Sequence, residues 1–165
     1  MITVMLGVSV TMNDALYTTT QRSNTNAEIA STSDIIYSDL NLAGFRSSPT
    51  YSYPFGSISP TFMRFYGDLN NGGYPETIRY NVTLDAATGK YNLYRRVNIE
   101  ASDTYLLIGK GYSSITFQYY KSNGALTTNY WEVASVRIKL VKPIPGATSG
   151  FTTAISDFKV FPANL

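Results

Sequence analysis

The sequence contains no histidine and no cysteine. These absences exclude the Ser-His-Asp triad, cysteine nucleophiles, thiolate zinc sites, haem ligation by histidine and any disulfide framework. Charged side chains make up only 15% of the 165 residues, and 13 basic against 11 acidic side chains leave a net charge of +2. This near-neutral balance argues against nucleic acid as the main partner. We therefore expect that the chain is not an enzyme and does not bind nucleic acid.

The residues that are abundant indicate a folded, strand-rich chain. Hydrophobic residues make up 44% of the sequence, with 14 tyrosines and 8 phenylalanines but a single tryptophan. This fraction and the low net charge are typical of a globular protein rather than a disordered one. Tyrosine and phenylalanine favour β-strands. The length matches one domain with its own core, and the composition predicts an extracellular location.

Residues 1–45 predict an N-terminal helical segment. Neither proline nor glycine interrupts residues 8–43, and Gly44 follows as a helix C-cap. Residues 18–20 are poor helix formers, so two shorter helices are the alternative. Apolar residues recur at intervals close to 3.6 and are expected to pack this helix on a sheet. They are Ala27, Ala30, Ile35, Ile36, Leu40 and Ala43.

Residues 46–165 predict a β-rich globular domain that forms one structural unit with the helical segment. Residues 46–60 contain three prolines and are interpreted as a loop. The predicted fold class is α+β, with a long N-terminal helix packed on an antiparallel β-sheet. Alternation of apolar and polar residues and turn signals predict the strands. They are residues 62–66, 77–84, 91–97, 114–120, 132–141 and 155–161.

The segment 68–73, Asp-Leu-Asn-Asn-Gly-Gly, resembles the start of a calcium loop with Asp68 and Asn70 as candidate ligands. The twelfth position of such a loop would be Arg79, a cation where a bidentate glutamate is needed. The favoured interpretation is a glycine-rich turn, and calcium held by this loop with outside ligands is the alternative. We expect no cofactor and no metal.

Two further groups of side chains are candidates for surface recognition. Tyr130 and Trp131 would suit stacking on a sugar, although such residues also form cross-strand pairs in a tyrosine-rich sheet. Six basic residues on predicted strands would form a basic patch if those strands were neighbours, and a solvated sheet face is the alternative. They are Arg79, Arg95, Arg96, Arg137, Lys139 and Lys142.

Several segments, in order along the chain, resemble one known family. They include residues 35–45 (IIYSDLNLAGF), 64–80 (RFYGDLNNGGYPETIRY) and 91–96 (YNLYRR), followed by residues 114–120 and 133–141. The first three are similar to the DLRxAGF helix end, the GDxNxDG…ETIxY segment and the LYR strand of type IV pilin-like proteins. Within that family the resemblance is to W-type minor pilins and J-type pseudopilins.

The resemblance implies a structural subunit of an extracellular type IV pilus-like filament or secretion pseudopilus at the bacterial cell surface. Its partners would be other copies of itself or other pilin-like subunits, and assembly would occur through the N-terminal helix. The residues expected at the assembly interface are Ile2, Met5, Leu6, Val8 and Val10.

The N-terminus departs from the family pattern. The usual G-F-x-x-x-E leader and the first half of the apolar helix are lacking, and Met5 stands where the family carries an acidic residue. Contact with a membrane is therefore expected only if a further N-terminal segment exists. The alternative function is a stand-alone β-rich surface module that recognises a glycan or protein partner through Tyr130 and Trp131.

Overall fold

The computed structural model describes residues 2–44, 53–69, 72–98, 105–146 and 152–162, and for residues 2–13 it describes the backbone alone. Within these ranges the chain forms one α-helix, eight strands and one turn of 3₁₀-helix at Tyr130–Glu132. The elements are α1 (Ile2–Asn41), β1 (Phe55–Ser59), β2 (Phe62–Gly67), β3 (Glu76–Asp85), β4 (Lys90–Asn98), β5 (Leu106–Tyr112), β6 (Ser114–Tyr120), β7 (Ser135–Pro143) and β8 (Thr153–Val160).

The strands form two antiparallel sheets. One has the order β1-β2-β3-β4-β5 and the other the order β6-β7-β8, so strands that are consecutive in the chain are neighbours within each sheet. β5 ends at Tyr112 and β6 begins at Ser114. Because the shortest common hairpin loops contain about two residues, the single residue between β5 and β6 does not let them pair. β6 therefore starts the second sheet.

The predicted fold class, a long N-terminal helix packed on an antiparallel sheet, is wrong. The protein is mostly β, with its strands in two sheets. Residues 46–60 are predicted to form a loop, but β1 occupies part of that segment, and β5 lies where no strand is predicted. Glycines at 109 and 111 interrupt the alternation of β5, and prolines flank β1. These two strands complete a five-stranded sheet before the second sheet begins.

The core combines both sheets with the C-terminal part of α1. Ile36 and Leu40 of the helix are fully buried together with side chains from β1 to β8. The Tyr119 hydroxyl of β6 lies 3.0 Å from the carbonyl oxygens of both Ser59 and Phe62. This contact joins the second sheet to the turn between β1 and β2. The helix therefore supplies a few side chains to a core that is built mainly from strands.

The prediction of a single helix that ends close to residue 43 is confirmed. α1 continues through the poor helix formers Thr18, Thr19 and Thr20, whose hydroxyls donate to the carbonyl four residues earlier at 2.8–2.9 Å. Gly44 follows with a φ of 80°, a left-handed conformation that glycine adopts without strain. Its N–H donates to the Tyr66 carbonyl at 2.8 Å. This bond connects the chain after α1 to β2.

The six predicted strands are all present. They correspond to β2, β3, β4, β6, β7 and β8, and their ends lie within three residues of the predicted ones. The alternation also placed most side chains correctly, since Ile115, Phe117 and Tyr119 of β6 are buried. Leu84 of β3 is an exception, because it is 58% exposed near the hairpin turn.

Candidate functional surfaces

The buried face of α1 differs from the predicted one in its first half. Ile36, Leu40 and the following Ala43 are buried, and Ile35 is half-buried. Ala27 and Ala30 are exposed, so the prediction is wrong for these two residues. The buried face contains two threonines and an aspartate, so a search for apolar residues does not detect it. The buried side chains of α1 are Thr25, Ile29, Thr32, Ile36, Asp39 and Leu40.

The described side chains of α1 that precede Thr25 lie outside the buried core. The first buried side chain of α1 within the described residues is Thr25, and every side chain from Asp14 to Asn24 is exposed or half-buried. Leu16 is 59% exposed and Tyr17 is 56% exposed. The described part of the chain contains no helix that is both long and apolar enough to cross a membrane. The predicted assembly residues share the α1 backbone but their side chains lie outside the described residues, namely Ile2, Met5, Leu6, Val8 and Val10.

A buried ionic cluster connects the end of α1 to β3 and β4. Asp39 accepts two hydrogen bonds from Arg95, at 2.6 Å from Nε and 2.9 Å from Nη2, and a third from the Tyr80 hydroxyl. The hydrogen bond to Asp39 raises the pKa of Arg95. Burial, and then the charge of Asp39, raises the pKa of Tyr80. These side chains satisfy one another within the fold, so we interpret the cluster as structural.

The segment around Asp68 forms hydrogen bonds that are typical of a glycine-rich turn. The two carboxylate oxygens of Asp68 accept hydrogen bonds from the N–H groups of Gly72 and Gly73, each at 2.9 Å. Glu76 accepts another from the Leu69 N–H at 2.8 Å. The other candidate ligand, Asn70, lies outside the described residues. Over the ranges that are described, no group of three or more histidine, cysteine or acidic side chains is placed to hold a metal ion.

Tyr130 and Trp131 are exposed and belong to a larger group of rings. Their ring centroids are 4.9 Å apart in an edge-to-face arrangement, and the Tyr53 ring lies 6.0 Å from that of Tyr130. Trp131 is 51% exposed. We call these three residues the aromatic cluster. The position of Tyr53 was not predictable, because it lies far away in the sequence and before the first strand.

Hydrogen bonds fix the turn that carries Tyr130 and Trp131 of the aromatic cluster. Glu132 accepts from Lys121 at 3.0 Å, from the Thr127 hydroxyl at 2.9 Å and from the Asn129 amide at 3.1 Å. These bonds, with that from Lys121 the largest contributor, lower the pKa of Glu132. The turn is therefore organised before any partner binds.

Three of the six predicted basic residues belong to the five-stranded sheet, and they divide between its faces. Arg79 and Arg96 are directly opposite each other on β3 and β4, on the face that points away from the core. Arg95 lies on the opposite face with Asp39. Arg64 of β2, which is directly opposite Arg79, is not among the basic residues predicted from the sequence.

The other three basic residues lie near β7 and are engaged differently. Arg137 forms a bidentate ion pair with Asp157 of β8, at 2.7 and 2.8 Å. Lys142 forms an ion pair with Glu28 of α1, and Lys139 is exposed. The six residues therefore do not form a single basic patch.

Comparison of the chain with protein-family models finds no match. No curated protein matches its sequence either. We therefore infer function from the surfaces described above and from the segments that resemble pilin-like proteins.

Proposed function

We propose that this protein is a structural subunit of an extracellular filament of the type IV pilus or pseudopilus kind, and that it assembles with other subunits through α1. The observation that carries the proposal is the segment of α1 from Asp14 to Asn24, in which no side chain is buried. At 1.5 Å per residue, the 40 residues of α1 extend over about 60 Å. Among the described residues, the side chains that α1 buries lie only between Thr25 and Leu40.

Residues 14–24 of α1 bury no side chain in the core, so packing within the subunit stabilises this segment little. Threonines are poor helix formers, and most helices in proteins are stabilised by packing of an apolar face. Leu16 and Tyr17 expose more than half of their surface, and residues 1–10 are mostly apolar. Packing of these residues against helices of neighbouring subunits would contribute about 25 cal/mol per Å² of buried apolar surface. Assembly would thus supply the packing that the isolated subunit lacks.

An aspartate on the apolar part of α1 is expected to prevent assembly without unfolding the β-rich part. Leu6→Asp and Leu16→Asp each place a charge where the proposal requires helix–helix packing, and burial of an unpaired charge is strongly unfavourable. Electron microscopy and sedimentation measure assembly, and circular dichroism during heating measures the fold. We expect filaments from the unmodified chain, none from either variant and an unchanged melting midpoint.

Ser23→Asp is the matched control, because it adds the same charge to an exposed polar position of the same helix. It should assemble like the unmodified chain. Filaments from Leu6→Asp and Leu16→Asp would contradict the proposal, as would a chain that stays monomeric at every concentration.

The second candidate function is a surface module that binds a glycan or protein partner. The observation that favours it is the aromatic cluster, whose three rings are exposed and of which Tyr130 and Trp131 lie on the turn fixed by Glu132. Tryptophan and tyrosine are enriched among residues that dominate binding free energy, because they offer a large apolar surface with a polar tip.

This candidate predicts a monomer that loses binding when Trp131 is replaced by alanine. The expected loss is about 2 kcal/mol or more of binding free energy, the range of interface residues that dominate affinity. Screening on a glycan array followed by calorimetry measures it. Tyr74→Ala is the control, since Tyr74 is 82% exposed and lies outside the cluster. An equal effect of both substitutions, or no glycan bound, would remove this candidate.

A further inference from the structure

Three arginines stand side by side on the outer face of the five-stranded sheet. Arg64 of β2 is directly opposite Arg79 of β3, which is directly opposite Arg96 of β4. Their neighbours in sequence, such as Phe65 and Ile78, are buried in the core, so the arginines lie on the other face. Opposite residues have Cβ atoms about 5 Å apart. We call these three residues the arginine row.

The arginine row places like charges next to each other, an arrangement that destabilises a sheet. No carboxylate of the described residues forms an ion pair with Arg64 or Arg79. The outward-facing positions of residues 62–66, 77–83 and 92–98 carry no acidic side chain at all. The positive charge of Arg64 and Arg79 is therefore not balanced within this face.

Contacts with β1 hold Arg64 in place. Its Nη2 donates to the Gly56 carbonyl at 3.0 Å. A Cβ atom at position 56 would lie 2.9 Å from Arg64 Nε and 2.5 Å from the Tyr66 hydroxyl, so glycine lets both side chains cross β1. Arg64 Nε is buried and has no hydrogen-bond partner within the described chain, although buried polar groups normally have one. The guanidinium group of Arg64 is therefore held in a fixed position, although its unpaired Nε lowers the stability of the folded protein.

The rows beside the arginines carry amide, hydroxyl and aromatic groups. Asn81 is opposite Tyr94 on one side of the arginine row, and Thr77 is opposite both Tyr66 and Asn98 on the other. Amides and hydroxyls both donate and accept hydrogen bonds, which suits the hydroxyl groups of sugars. Tyrosine rings add an apolar surface with a polar tip.

We propose that this face binds an anionic polysaccharide. The carboxylate or sulfate groups of the polymer pair with Arg64 and Arg79 of the arginine row, because the planar guanidinium fork matches oxyanions bidentately. Its hydroxyl groups bond to the flanking amides and hydroxyls. A sheet face suits an extended polymer, whereas small-molecule sites are concave. The net charge of +2 is low for a nucleic-acid-binding protein. Binding of an anionic polymer therefore depends on the local arrangement of the arginines and not on the overall charge of the protein. This surface is separate from α1, and the proposal does not depend on filament assembly.

The test measures binding of dextran sulfate and polygalacturonate to the full chain by calorimetry at low salt. Uncharged dextran and a single-stranded DNA oligonucleotide are compared in parallel. We expect both anionic polysaccharides to bind and uncharged dextran not to bind. Arg79→Gln, in the centre of the row, should weaken binding about tenfold or more, because a hydrogen bond to a charged group contributes about that factor. Arg79→Lys keeps the charge but loses the fork and should weaken binding by a smaller factor.

Lys139→Gln is the matched control, because it removes the same charge from an exposed position of the other sheet. It should leave the affinity unchanged. Thermal melting midpoints show whether each variant is folded. Arg79→Gln removes one of three adjacent like charges, so its melting midpoint should not be lower than that of the unmodified chain. The proposal is overturned if neither anionic polysaccharide binds, if Lys139→Gln weakens binding as much as Arg79→Gln, or if the oligonucleotide binds more tightly than both polysaccharides.

Discussion

Replacement of Asp39 with alanine is expected to lower the free energy of unfolding by about 3–5 kcal/mol, the range for removing one partner of a buried ion pair. The Asp39 side chain is 7% exposed and that of Arg95 is 23% exposed, so neither charge is well solvated. Without the carboxylate, Arg95 loses two hydrogen bonds and Tyr80 loses one. Because small proteins are stable by only about 5–15 kcal/mol, the loss should be visible in urea or thermal unfolding.

The position of Asp39 near the end of α1 increases the contribution of Arg95 to the stability of the fold. A carboxylate in the last turns of a helix faces the negative end of the helix dipole, so the guanidinium group offsets two unfavourable effects. Tyr80→Phe removes only one hydrogen bond of the cluster and should cost about 1 kcal/mol. In a double-mutant cycle, Asp39→Ala and Arg95→Met should therefore be strongly coupled.

Asp34→Ala is the control for this prediction. Asp34 lies five residues before Asp39 on the same helix but is exposed, and surface substitutions usually change stability by no more than about 0.5 kcal/mol. An equally large loss for Asp34→Ala would show that general helix electrostatics, not the cluster, determine stability. A loss below about 1 kcal/mol for Asp39→Ala would contradict a buried role.

Periodicity predicted individual elements well and the fold class poorly. The strand at residues 114–120 was predictable because its alternate side chains, from Ile115 to Tyr119, are buried on one face. The division into two sheets depends instead on Ser113, the single residue between β5 and β6. β5 itself exposes Leu106 and Leu107 and contains two glycines. As an edge strand it needs no clean alternation, so no local pattern reveals it.

The side chains that form the arginine row were partly visible in the sequence. Arg95 and Arg96 are adjacent, and a strand points adjacent side chains to opposite faces, so only one of them was able to join Arg79. The alternation of β4 indicates which one faces the core, because Arg95 shares its face with the apolar Leu93 and Val97, whereas Arg96 shares its face with Asn92 and Asn98. The alternation does not reveal the partner of Arg95, because Asp39 lies 56 positions away in the sequence. Long-range ionic partners of this kind leave no periodic signal.

Alkaline pH is expected to destabilise the protein steeply through three buried tyrosines. Burial raises the pKa of Tyr80, Tyr112 and Tyr119, whereas in the unfolded chain a tyrosine has a pKa of about 10. Below that value the hydroxyls are protonated in both states, and their contribution to stability does not change with pH. Above it the unfolded chain loses protons that the folded chain retains, so the free energy of unfolding falls as pH rises.

The expected slope is large because the three contributions add. Each tyrosine that ionises only in the unfolded state lowers the free energy of unfolding by about 1.4 kcal/mol per pH unit, so three give about 4 kcal/mol per pH unit above pH 10. Urea unfolding at a series of pH values measures the slope. Tyrosinate absorbance should show that these three hydroxyls ionise at a higher pH in the folded protein than in the unfolded chain.

Two substitutions separate this effect from general alkaline denaturation. Tyr119→Phe removes one buried hydroxyl that lies near the carbonyls of Ser59 and Phe62, and it should reduce the slope by about one third, since each group contributes equally. Tyr74→Phe is the control, because it removes a hydroxyl from a side chain that is 82% exposed. Loss of the two hydrogen-bonded contacts alone would lower stability equally at every pH. An unchanged slope in Tyr119→Phe would therefore mean that this hydroxyl ionises in the folded state, against its burial between the two sheets.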